Sequence, residues 1–380
     1  MAAALLMLGA CTAGDGPAVG HGQGQPAHAP AAAGVAVGSV RTLAGMTVPR
    51  AVHTATLLRD GTVLVAGGFG VGDDAALAST ERYSPAGGRF TRGPRMSTPR
   101  LGHSATLLPD GRVLLAGGFG AGGTVLDTAE LYDPATGRFT PAGRMGARRA
   151  DHEAVLLRDG RVLLVGGTGP RFDFLASAEL YDPRTSRFST TGSMAERREG
   201  LTATPLRDGR VLVTGGHVGR HEQLEVHRSA ELYDPATGRF TRTGDMTVRR
   251  HKHDAVRLAD GRALLVGGSD EHDNAGLYHS AELYDPRTGR FQPTGDLRGA
   301  RYKLRGTSML LRDGRVLVTG GASGPEVYQS RSGSFAPLAG SLERAPLFAA
   351  AVLLPDGSAL LCGGYSLTGP ASNTAWLIRP

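Results

Sequence analysis

Short apolar runs rich in valine and leucine recur along the chain, and each ends in two glycines. Val63-Leu64-Val65-Ala66 stops at Gly67-Gly68, and the pattern returns at Gly117-Gly118, Gly166-Gly167, Gly215-Gly216, Gly267-Gly268, Gly320-Gly321 and Gly363-Gly364. A few residues before each pair sits an Asp-Gly, from Asp60-Gly61 to Asp356-Gly357. Asp-Gly suits the φ > 0 positions of a tight hairpin, so each repeat holds two strands joined there. Beyond the diglycine comes a variable loop, then a segment such as Ala129-Glu130-Leu131-Tyr132-Asp133-Pro134-Ala135-Thr136-Gly137-Arg138-Phe139. This reads as a third strand, a Pro/Gly turn and the start of a fourth. One repeat is therefore a four-stranded antiparallel sheet, and its period of about 50 residues is that of a propeller blade. The expectation is an all-β, seven-bladed β-propeller.

The two ends of the chain predict how the ring closes. The seventh repeat stops at Ala375-Trp376-Leu377-Ile378-Arg379-Pro380, which supplies only a third strand. Near the N-terminus, Val40-Arg41-Thr42-Leu43-Ala44-Gly45-Met46 matches the fourth-strand pattern Phe240-Thr241-Arg242-Thr243-Gly244-Asp245-Met246. Residues 39–46 are expected to complete the last blade and cover its edge.

Length alone would divide 380 residues into two or three domains, but the repeats use nearly everything after residue 36. The 57 glycines fall mostly at fixed places in the repeat, so they mark turns rather than disorder. The net charge of +7 is compatible with acidic partners. The arginines are spread over the repeats and aromatics are few, which argues against single-stranded nucleic acid. Residues 1–11, Met1 to Cys11, resemble a bacterial lipoprotein signal, with Leu8-Gly9-Ala10-Cys11 at the cleavage site. That resemblance implies a lipidated Cys11 and an extracytoplasmic protein, anchored to the envelope or secreted. Residues 12–36 form a Gly/Ala/Pro-rich tract suited to a tether, and 37–380 form the propeller. The second cysteine, Cys362, lies in a strand and reads as a small buried hydrophobe.

These repeats resemble the kelch family. Arg-x-x-His or a variant precedes the first strand, Asp-Gly and Gly-Gly follow, and Tyr-Asp-Pro-x-Thr-Gly-x-Phe closes several repeats. Phe90, Phe139, Phe188, Phe240, Phe291 and Phe335 stand where kelch repeats usually carry Trp. The resemblance covers 39–380 and implies a galactose-oxidase-like fold. It does not imply one function, since kelch propellers include enzymes, scaffolds and glycan binders. Galactose-oxidase chemistry needs copper and a tyrosine cross-linked to cysteine; Cys362 follows the buried-strand pattern, so that chemistry is not expected.

Counting back from each Asp-Gly gives Arg50, Arg100, Arg149, Arg198, Arg250, Lys303 and Pro346 at one position. Six are cationic. They form either a charged ring aimed at an anion or structural ion pairs with Glu81, Glu130, Glu179, Glu231, Glu282 and Glu326 of the third strands. The seventh repeat has Pro346 and Trp376 at the two places, so both partners vanish together, which favours the pairs. His53, His103, His152 and His253 share another position and read as core or channel histidines, spread over separate blades. The run Gly67-Gly68-Phe69-Gly70-Val71-Gly72 opens no helix, so it is not a phosphate cradle.

Individuality lies in the loops of repeats four and five. The candidate ligand residues are His217, Arg220, His221, Glu222, His227, Asp270, His272, Asp273 and Tyr278, with Arg249 and Arg197 beside them. No nucleophile–base or carboxylate pair can be picked out. No catalytic residue, cofactor or metal is expected. Three functions stay open: a non-catalytic surface propeller binding a protein or glycan, a carbohydrate enzyme resembling kelch mutarotases, and an architectural envelope protein. A monomer is expected.

Overall fold

The computed structural model describes residues 38–70 and 76–380. The lipoprotein-like segment 1–11 with Cys11 and the tract 12–36 lie outside the described residues. Seven four-stranded antiparallel sheets follow one another along the chain. Blade one comprises Thr54–Leu57, Val63–Ala66, Thr80–Ser84 and Arg89–Arg92. Blades two to six repeat that order, each strand pairing with the next in sequence, and blade four adds a small ribbon of His217–Val218 and Glu225–Val226.

Blade seven combines both chain ends. Ala350–Leu353, Ala359–Cys362 and Ala375–Arg379 are joined by Ser39–Thr42, with Val40 opposite Ile378 and Thr42 opposite Trp376. Beyond the strand, the Leu43 and Met46 N–H groups still donate to the Ala375 and Asn373 carbonyls, each at 2.8 Å.

The second strand of each blade is buried on both faces and packs between neighbouring sheets, as with Val63–Ala66 and Val113–Ala116. Farther out, the repeated Tyr and Phe pack in tilted pairs, such as Tyr83 with Phe90 at 4.9 Å between ring centres. The diglycines have a packing reason. Gly67 has φ +66, and a Cβ there would lie 2.4 Å from the Arg100 carbonyl of the next blade. The following Gly68 N–H donates to that same carbonyl at 2.8 Å. Only glycine allows so close an approach at that backbone angle.

The arginines are fully buried, and each forks into its own blade. Arg149 donates to the Gly166 and Ser177 carbonyls and to Glu179 Oε1 at 2.9 Å. Glu179 in turn accepts the N–H groups of Gly146 and Ala147. Equivalent pairs join Arg50 to Glu81 at 3.0 Å, Arg100 to Glu130 at 3.0 Å, Arg198 to Glu231 at 3.1 Å and Arg250 to Glu282 at 2.7 Å. Blade six corrects the sequence count. The partner of Glu326 is Arg301, at 2.5 Å, not Lys303. Blade six has two extra residues between its arginine and its Asp-Gly, so counting back from Asp313 landed two places late.

Candidate functional site

Two residues after each of these six arginines, and after Pro346 in blade seven, the chain turns into the left-handed backbone region. The seven positions are Val52, Gly102, Asp151, Gly200, Lys252, Lys303 and Phe348, with φ between 49° and 63°. They stand where the chain enters the innermost strands, and hydrogen bonds run from blade to blade between them. The Gly102 N–H donates to the Val52 carbonyl, Asp151 to Gly102, Lys252 to Gly200, Lys303 to Lys252, Phe348 to Lys303 and Val52 to Phe348, at 2.8–3.1 Å. The ring thus circles the mouth of the central channel. Five of its members carry a side chain at a backbone angle that costs roughly 1–3 kcal/mol each, a kind of strain that clusters at functional sites.

A cavity of about 450 Å³ opens at this mouth. Ring residues Val52, Asp151, Gly200, Lys252, Lys303 and Phe348 line it, and the loops of blades four and five wall it. Carboxylates and cations converge on it. Asp151, Glu153 and Glu199 come from blades three and four, and Glu222, Glu271 and Asp273 from the loops, against Arg220, Lys252, Lys303 and Arg305. Lys252 Nζ donates to Asp273 Oδ1 at 2.7 Å. The Arg220 guanidinium stacks over the Phe172 ring at 3.7 Å. His217 and His251 face each other through their Nδ1 atoms at 3.0 Å, and burial holds both well below the usual histidine range.

Two groups in this cavity are poised near neutrality. Burial, reinforced by Glu199, pushes the Asp151 carboxyl up to about 7, against the opposing pull of Arg305, Arg220 and Lys252. Burial and the Lys252 charge bring the Lys303 ammonium down to about 7, with Asp273 opposing. Lys303 Nζ sits among the rings of Tyr302, Phe348 and Tyr365 at 4.9–5.6 Å and donates to the Tyr365 hydroxyl at 2.9 Å.

Arg305, in the two-residue insertion of blade six, also lines the cavity. Arg305 Nε meets Glu153 of blade three at 2.5 Å, and its Nη2 donates to the His152 carbonyl. The side chain therefore crosses the channel between non-adjacent blades. Arg305 also lines a second cavity of about 230 Å³ along the inner strands of blades seven, one, two and three. Asp254 holds the insertion in place by accepting the N–H groups of Gly306, Thr307 and Ser308 at 2.7–3.1 Å.

Of the loop residues singled out by sequence, the structure brings His217, Arg220, His221, Glu222, His272 and Asp273 to the cavity wall. Four others point elsewhere. His227 bonds the Arg197 carbonyl at 3.1 Å and lies 3.5 Å from Glu196, while Arg249, outside the lining, pairs with the lining residue Glu271 at 3.4 Å. Asp270 supports His272 at 3.0 Å, and Tyr278 lies under the Arg250 guanidinium. The repeated histidines bridge to the preceding blade instead: His152 to Ser104 Oγ at 2.9 Å, His253 to Thr214 Oγ1 at 3.0 Å, and His53 to Cys362 Sγ at 3.6 Å. Sequence reading missed Asp151, Glu153, Glu199 and Arg305; it placed Lys252 beside the loops without a role and took Lys303 for an ion-pair partner of Glu326, a place that Arg301 holds. One signal was available: the chain holds 42 cationic residues, and Lys252 and Lys303 are its only lysines.

The Kelch motif family matches residues 100–146, which run from the buried Arg100 of blade two to the turn before blade three. The same arrangement recurs around the ring. The chain is a seven-bladed propeller with a kelch motif in its second blade. Among curated proteins none matches this chain in sequence. A solved fungal alcohol oxidase of the AA5 family, in complex with copper, shares 18% identity, with 90% of this chain and 76% of that one covered and a TM-score of 0.72. At that identity the likeness shows the fold alone. A copper centre does not fit the side chains here. Cys362 is fully buried with its thiol against His53, and among the described residues no three His, Cys, Asp or Glu side chains are grouped to hold a metal.

Proposed function

We propose that this kelch propeller binds a small polyhydroxylated ligand, such as a mono- or disaccharide, in the cavity at the channel mouth. The observation that carries the reading is the half-open, loop-walled cavity on which side chains of both signs converge from blades three to six. Its volume falls within the range of small-molecule sites. A protein partner would ask for a broad exposed face instead. Alternating carboxylates and cations offer acceptors and donors at short intervals, which suits hydroxyl groups. The six acidic groups outnumber the four Lys and Arg side chains, which disfavours a strongly anionic ligand.

Calorimetric titration with neutral sugars, alditols and uronic acids tests this. Neutral sugars or alditols should bind, and Glu222→Gln and Asp273→Asn should each weaken binding by several-fold while the melting temperature holds. Equal binding by a protein whose two loops are cut to the length of the blade-six loop would place the ligand elsewhere.

An acid–base enzyme acting on such a ligand is the second reading. Asp151 and Lys303 favour it, because both exchange protons near neutrality. We further propose an extracytoplasmic protein tethered through Cys11. Fatty-acid labelling that survives Cys11→Ser would overturn the tether.

A further inference from the structure

We infer that Lys303 is a carbonyl-reactive amine that forms an imine with a hydroxyaldehyde, the open-chain form of an aldose, held in the cavity at the channel mouth. The inference rests on the small-ligand reading of that cavity and adds a reaction to it. Two independent observations carry it. First, the chain meets its need for positive charge with arginine everywhere except at Lys252 and Lys303. Both lysines fall at the same ring position of adjacent blades, in left-handed backbone, on the wall of one cavity. Arginine cannot be deprotonated in a protein, whereas lysine can act as a nucleophile once its charge is destabilised. Second, the surroundings of Lys303 destabilise that charge. The residue is 1% exposed, is boxed by Tyr302, Phe348 and Tyr365, and takes its neighbour Lys252 from blade five. Desolvation beside a second cation is a recognised way to activate an amine.

Among the groups facing Lys303 are Lys252 and Asp273 of blade five, Tyr302 on its own strand, and Tyr365 of blade seven. Burial is the main effect on its charge; Lys252 adds to it, and Asp273, engaged by Lys252 Nζ at 2.7 Å, works against it. With the ammonium brought down to about 7, a share of Lys303 is uncharged at neutral pH. Its lone pair attacks the carbonyl carbon while the C=O π pair moves to oxygen. A proton passes from nitrogen to that oxygen and gives a carbinolamine. Protonation of the hydroxyl and loss of water leave the C=N bond. Asp151, on the same cavity wall, is poised to exchange the proton. Overall, amine and aldehyde become imine and water.

The test traps the imine. The full chain is incubated with glycolaldehyde and sodium cyanoborohydride, and adducts are mapped by peptide mass spectrometry. Two lysines and the N-terminal amine make that map unambiguous. The expected result is a single adduct on Lys303, whose rate falls as pH drops below about 7 because the amine takes up its proton. Lys252→Gln should raise the pKa of Lys303, slow trapping at pH 7 by several-fold and move the profile to higher pH. A purely structural Lys303 would give no preferred adduct, and Lys303→Arg would change nothing. Absence of a Lys303 adduct at pH 8, or equal labelling of Lys252, overturns the inference. Binding of the matching alditol, which has no carbonyl, is measured in parallel. If it binds while no adduct forms, the imine alone fails; if it does not bind and no adduct forms, both readings fail.

Discussion

A single buried arginine shows how much one side chain carries in this fold. Arg149 spans three acceptors, the Gly166 and Ser177 carbonyls and Glu179, while Glu179 closes the turn at Gly146 and Ala147. Removing the cation strands a carboxylate in the core, which costs about 3–5 kcal/mol. Arg149→Ala should therefore lose that much stability in urea unfolding, and adding Glu179→Ala should cost clearly less than Glu179→Ala does alone. Arg149→Lys should recover little, because an ammonium cannot reach three acceptors in a plane. Strict additivity in that cycle would show that the pair is not coupled. The spacing of Arg and Glu along each repeat made these pairs legible in the sequence, including their joint loss at Pro346 and Trp376. Arg301 was hidden because the count started from Asp-Gly, on the far side of the insertion. Counted from Arg-Tyr-Lys against Arg-His-Lys in blade five, it falls into place.

At the scale of strands and loops, the seam of the ring and the blade-six insertion make different demands. Ser39–Thr42 covers the outer edge of Ala375–Arg379, and Met46 is buried in the core cluster shared by blades seven and one. Removal of residues 1–47 takes away that strand and its apolar anchor. The melting temperature should fall clearly, whereas removal of 1–36 should leave it unchanged; a difference too small to measure would discount the strand as a closure. The insertion depends on Asp254. Asp254→Ala frees three backbone N–H groups and loosens Arg305, so it should cost roughly 1–3 kcal/mol and weaken ligand binding in calorimetry. Blade number and strand order could be read from the repeat because each blade restates the same turns. The cavity could not. It is built where blades differ, and which loops and ring residues meet there depends on the closed ring, since Glu153 and Arg305 lie far apart in sequence and touch only across the channel.

Taken as a whole, the molecule keeps six buried histidines neutral, and this sets how it should respond to acid. His53, His152, His217, His251 and His253 are held well below the usual histidine range, and His103 is brought down to about 3, in every case chiefly by burial. The unfolded chain takes up these six protons as pH falls through about 6.5, and the folded protein does not. Their contribution is therefore full above that pH and is lost as pH falls. Three carboxyls act the other way. Asp151 is raised to about 7, Asp254 to about 6, and Glu153 is raised as well, so the folded form gains these protons before the unfolded chain does. Six groups against three, with His227 also lowered by burial, leave acid destabilising. Each uncompensated histidine contributes up to about 1.4 kcal/mol per pH unit. Calorimetric melting should show a steady fall between pH 6.5 and 5. His152→Asn, which removes one titrating ring while keeping a polar group near Ser104, should flatten that slope by about one proton. A melting temperature that stays level through this range would mean that the rings charge in place, and the channel would then have to admit water to them. Above about pH 8 these histidine and carboxyl effects have run out, but Lys303, brought down to about 7, still makes the fold gain stability as pH rises toward the ordinary lysine range, so ligand binding and imine trapping are to be read beside a melting curve at each pH.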